Sequence, residues 1–129
     1  MGNSVTLLSN QTHPGDSAVK TVRGDKQKGD GYYSRGDGFH TVQITVTGFI
    51  GKIEIEGTLG HDPKDPFYTN SNDSTDWSPV TVNGSPYSLE YTTSTTATVV
   101  QNFTGNYTWL RVFVSDWTDG TVNSIKLNH

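Results

Sequence analysis

The stretch from Phe39 to Thr47 limits the possible folds more than any other: Val42, Ile44 and Val46 alternate strictly with Thr41, Gln43, Thr45 and Thr47. A period of two puts the branched aliphatics on one side of an extended chain and the polar residues on the other, as in a strand with one buried and one wet face. A helix would scatter the same residues around its axis. After Gly48 to Gly51, Ile53 and Ile55 alternate with Lys52, Glu54 and Glu56. The glycines read as a turn, and the two segments as an antiparallel pair or as neighbours across two sheets. Glu54 and Glu56 then belong to a solvated sheet face.

The rest of the chain follows the same logic. Val5 to Leu8 reads as a first short strand, and Ala18 to Val22 and Tyr32-Tyr33 as short edge strands in a Gly-rich, polar region. Trp77 to Val82, Tyr87 to Thr92 and Thr95 to Phe103 are further strands, with Asn83-Gly84 as a turn between the first two. Tyr107 to Val114 is apolar on both parities apart from Thr108 and Arg111, which predicts a central strand covered on both faces. Asp119-Gly120 reads as a turn. Val122, Ile125 and Leu127 do not share one parity, so a bulge is expected near Asn123-Ser124. No long segment carries a helical apolar stripe. About eight or nine short strands separated by turn signals predict an all-β fold, a jelly-roll-like antiparallel β-sandwich. The expected organisation is one domain, with a loop-like, Gly-rich N-terminal arm over residues 1–38, integrated or docking, and the sandwich over 39–129.

Composition agrees and narrows the function. The chain has 129 residues, within the range of one domain, and 11% are aromatic, too many for a disordered chain. A net charge of −4 argues against nucleic acid, because phosphate binding needs clustered Lys and Arg, and the basic run from Lys20 to Arg35 is broken by Asp25 and Asp30. With no cysteine, neither disulfides nor thiolate chemistry enters. No apolar run is long enough for a signal peptide or a membrane span, so a cytosolic product is expected. The Met1-Gly2-Asn3-Ser4 start, the Arg23-Gly24-Asp25 and Arg35-Gly36-Asp37 tripeptides and the Asn-x-Ser/Thr sequons are short patterns that this composition generates by chance.

No catalytic set stands out. His13, His40, His61 and His129 sit in no recognised motif, and no G-x-S-x-G is present. Asp62, Asp65, Asn70, Asn72, Asp73 and Asp76 concentrate hard oxygen ligands in a long connection, and Asn70-x-Asn72-x-Ser74-x-Asp76 has alternate-ligand spacing. The run lacks the central glycine and terminal glutamate of an EF-hand, and Asx-turns account for such residues. No metal or cofactor is therefore expected, with Asp62, Asp65, Asn72 and Asp76 as the weak candidates. The aromatic residues Tyr32, Tyr33, Trp77, Trp109 and Trp117, with Arg111 on the parity of Trp109, are candidates for packing and interfaces, or for a sugar platform. Arg111 is placed to stack on Trp109 or to pair with a carboxylate.

Several stretches occur together: Gly31-Tyr32-Tyr33, Asp37-Gly38-Phe39-His40-Thr41-Val42, Phe49 through Leu59, Asp76-Trp77, Phe103 through Arg111, and Asp119 through Leu127. Over roughly residues 31 to 128 these resemble small structural proteins of tailed bacteriophages, especially marine and cyanobacterial myophages. The resemblance implies a non-enzymatic virion component made in the host cytoplasm: a capsid decoration or cement protein, or a neck, tail or fibre module. It implies oligomers bound to major capsid or other virion proteins. The final stretch also resembles jelly-roll carbohydrate-binding modules, which makes a surface glycan the alternative partner.

Overall fold

The computed structural model describes residues 4–15, 19–24, 26–29, 38–59 and 77–128. Its strands are β1 (Ser4–Thr12), β2 (Lys20–Arg23), β3 (Gln27–Lys28), β4 (Phe39–Thr58), β5 (Ser78–Pro79), β6 (Thr81–Val82), β7 (Ser85–Pro86), β8 (Ser88–Thr104) and β9 (Trp109–Asn128). Every pairing is antiparallel, and the described residues hold no helix. The fold is all-β, as the alternation requires.

β4 is one continuous strand where the sequence reading expected two and a turn. Its buried residues switch from even positions (Val42, Ile44, Val46) to odd ones (Phe49, Ile53, Ile55), and its pairing slips between Thr47 and Ile50. Extra residues in one strand swap the parity and bend the chain without reversing it. Gly48, at φ 59, sits in that bend. The segments 87–92 and 95–103 likewise merge into β8, and 107–114 and 121–127 merge into β9 through Asp119-Gly120. The bulge expected near Asn123 is present: Thr45 faces Ser124 and Val46 faces Val122, which leaves Asn123 unopposed. Asn83 and Gly84 make the β6–β7 turn at φ 54 and 82, the mirror-image turn that suits a hairpin.

β4 lies between β8 and β9. On the far side of β9 lie β1 (opposite 121–128), then β2 (opposite 113–117), then β3 (opposite Trp109 and Leu110). The described parts of residues 4–28 thus contribute edge strands of the main sheet. Leu7 and Leu8 of β1 are buried, and Gly24 after β2 donates its amide to the Val112 carbonyl at 3.0 Å.

A straight strand of this length would span about 65 Å at the usual rise per residue. β4 does not. His40, near its start, lies with its ring 6.3 Å from that of Tyr107, and Gly57, near its end, packs so closely on the same Tyr107 ring that a β-carbon there would enter it. The strand therefore folds back at its glycine bend and brings two halves of the sheet face to face. One half supplies Val42, Ile44, Val46, Val122, Ile125 and Leu127 to the core, the other Ile53, Ile55, Leu110, Val112 and Val114, and all form one cluster. Each such side chain contributes about 1.5–3 kcal/mol by leaving water. This is a sandwich made by bending strands at corners. Phe49 fills the corner, fully buried, with its ring 6.3 Å from both Trp117 and Tyr91.

Candidate interaction surfaces

The outer face of the second sheet half holds the most concentrated polar chemistry. Glu54, Glu56 and Thr58 on β4 face Phe113, Arg111 and Trp109 on β9. The sequence reading placed both glutamates on a solvated face, and for Glu56 this is corrected: it is 8% exposed. Arg111, itself fully buried, donates from Nε to Glu56 Oε1 at 2.8 Å, and its guanidinium lies 4.3 Å from the centre of the Trp77 ring. A partner directly across the ladder, with an aromatic plate over it, takes the carboxylate out of water. Glu54 stays half-buried and meets Lys52 Nζ only at 3.9 Å. The Arg111 η nitrogens and Trp77 Nε1 are buried, with no acceptor among the described residues.

Two more cations sit over rings on this face: Arg23 over Phe113 at 4.5 Å and Lys26 over Trp109 at 4.8 Å. A cation over an aromatic face is attracted by the ring quadrupole and holds the ring flat beneath it. Of the two partners foreseen for Arg111, the carboxylate is present, but the stacked ring is Trp77, and Trp109 carries Lys26 instead. Trp77 comes from the far end of a long connection, so no local spacing could have pointed to it.

The other singled-out residues are spent inside. Trp117 is buried, donates Nε1–H to the Asp119 carbonyl at 3.0 Å, and meets the His13 ring edge-on at 5.5 Å. His13 Nδ1 accepts from the Gly15 amide at 2.9 Å. His40 stacks flat on Phe103, with ring centres 5.0 Å apart, and donates Nδ1–H to the Gly38 carbonyl at 2.9 Å. Both histidines thus have turn and packing duties. Tyr32, Tyr33, Asp62, Asp65, Asn72 and Asp76, with His61 and His129, lie outside the described residues. Among the described residues no three His, Cys, Asp or Glu side chains come together as a metal site. A cleft of 430 Å³ between β1 and β2 is lined by Leu7, Leu8, Val22, Arg23 and small polar residues. Among the described residues that line it there is no carboxylate or imidazole.

The sheet's two edges differ. Beyond β9 the edge is cut into three pieces: β1 slips register between Thr6 and Leu8, and β2 and β3 carry Lys20, Arg23 and Lys28. Bulges and cations of this kind are how proteins discourage stray strand pairing. At the opposite edge, no described strand pairs with β8 on the side away from β4. β8 reads SLEYTTSTTATVVQNFT, with Glu90 its only charge and no proline. From Ala97 to Thr104 it pairs with β4 without a slip. The outer face there is a hydroxyl and amide surface, with Thr41 Oγ1 donating to Asn102 Oδ1 at 2.8 Å and Thr45 and Thr98 hydroxyls 3.4 Å apart. Val100 stands out of it at 59% exposure.

Comparison of the chain with protein-family models, with curated proteins and with solved structures finds no match.

Proposed function

We propose that this chain is a non-enzymatic structural protein of a tailed-bacteriophage particle, a decoration protein that assembles on the capsid exterior after synthesis in the host cytoplasm. The observation that carries the reading is the β8 edge. A long, proline-free strand edge with Glu90 as its single charge, unpaired by any described strand, offers a row of backbone donors and acceptors, the feature that assembly interfaces use and monomeric proteins suppress. The stretches that resemble phage structural proteins supply the particle context, and they include the frame itself: Gly38, His40, Gly57, Tyr107 and Arg111. In this reading the titratable groups at Arg111, Glu56, His13 and His40 hold the scaffold and the edges make the contacts.

The test is mass spectrometry of purified particles of the encoding phage. The expected result is the chain in stoichiometric copies, with particles from a deletion strain less resistant to heat or osmotic shock. Particles that never contain the chain would sink the reading.

One observation favours a second reading, carbohydrate recognition: Trp109 is the one tryptophan of the three that is not fully buried. A glycan-array signal abolished by Trp109→Ala would support it, and a blank array would end it.

A further inference from the structure

We infer that β8 pairs with β8 of a second copy, antiparallel across a two-fold axis beside Val100, so that the sheet continues from one protomer into the next. The inference rests on the reading of β8 as an assembly edge and names its occupant.

Three observations select a second copy. First, the run from Ala97 to Thr104 is straight in its pairing with β4, whereas the slips near Phe49, opposite Thr95, bend the remainder of the strand away. Only the straight run can accept a straight strand, and another β8 offers the matching length. Second, antiparallel pairing centred on Val100 sets Val100 against its own copy and, on either side of it, Thr98 against Asn102 of the copy. The exposed valine thereby gains a branched aliphatic partner directly opposite, and the two flanking pairs match hydroxyl with amide. Third, in this register Glu90 lies beyond the paired run, so the strand's only charge never faces itself. A closed two-fold contact also consumes the open edge, which a head-to-tail contact would leave at the end of a growing chain. The opposite edge, with its breaks and cations, cannot serve as the complementary surface of a head-to-tail array.

The test uses the full chain in solution, free of particles. Sedimentation equilibrium is expected to show a dimer, and Thr98→Lys and Val100→Lys are expected to weaken it at least roughly tenfold by opposing a cation to the partner strand. Both positions are exposed, and unchanged circular dichroism would show that the fold survives. Val100→Cys is expected to cross-link to a dimer under mild oxidation, because directly opposed residues of an antiparallel pair lie about 4.5–5.5 Å apart at Cα, within disulfide reach. Val19→Cys, equally exposed beside β2, is the control and should stay monomeric on denaturing gels. A chain that is monomeric at all concentrations overturns the inference. So does a dimer that both lysine variants leave intact, or one that cross-links through residue 19 and not through 100. A monomer found on particles overturns this inference alone, and a dimer absent from particles overturns only the virion role.

Discussion

Arg111 gives its Nε–H to Glu56 from the position directly across the β4–β9 ladder, yet among the described residues neither of its η nitrogens has an acceptor. The pair is thus buried and only half satisfied, the situation in which removing one partner costs more than removing both. Glu56→Ala is expected to destabilise the fold by about 3–5 kcal/mol, because it strands a buried cation. The double replacement Glu56→Leu with Arg111→Met should recover most of that loss. Urea unfolding of the two variants beside the unchanged chain decides it. A Glu56→Ala cost near zero would mean that the pair is solvated.

The closure of the sandwich can be tested through Gly57 and Tyr107. A methyl group at 57 has no room beside the Tyr107 ring, so Gly57→Ala should cost about 1–3 kcal/mol as an overpacked site. In a Tyr107→Ala background the same substitution should become nearly neutral. A double-mutant cycle reads this coupling directly, and additive effects would separate the two residues in space.

Phe49 carries the corner, so Phe49→Ala should cost about 3–5 kcal/mol, the usual loss for a buried ring. Leu59, 73% exposed just past the end of β4, is the contrasting site. Leu59→Ala is expected to change stability by less than about 0.5 kcal/mol. Equal losses from the two substitutions, measured by thermal unfolding, would remove the special role given to the bend.

Tyr87 gives the fold an alkaline limit. Burial, and secondarily the neighbouring Tyr91, raises its hydroxyl above the ordinary value of 10.0. The folded state therefore holds the phenolic proton more tightly than the unfolded chain does. The associated stability is complete below about pH 10 and is lost as pH rises through the raised folded value. Because the Tyr87 hydroxyl is buried with no hydrogen-bond partner among the described residues, Tyr87→Phe should be neutral or slightly stabilising at pH 7. The wild-type chain should then lose stability relative to this variant between pH 9 and 11. Parallel curves for the two proteins would remove Tyr87 as the cause.

How much of this was legible in the sequence depended on the range of the signal. Period-two patterns name the residues that share a face, and Val42, Ile44, Val46, Ile53 and Ile55 are all in the core. Asn83-Gly84 gave its turn because that dipeptide tolerates two successive positive φ angles. Gly48 to Gly51 misled for a related reason: glycine signals a special backbone angle, and a corner needs one as much as a reversal does. The burial of Glu56 was hidden because alternation shows which way a residue points, and not what lies above it. Its cover, Trp77 over Arg111, joins segments far apart in the chain, as does the Tyr107 contact that closes the sandwich.

The position of β9 between β4 and β1 also sets the order in which the molecule can form. β1 finds its partners in residues 121–128, with Ser4 opposite Asn128, and β2 and β3 find theirs in 109–117. During synthesis the earliest strands must therefore wait for β9, and until it is made β4 has β5 and β8 to pair with while its aliphatic row faces water. Such sequence-distant pairing folds slowly, on the millisecond-to-second scale, because the loop entropy is lost before the contacts form. The sheet can be complete only once β9 has been made and lies between β4 and the N-terminal edge strands.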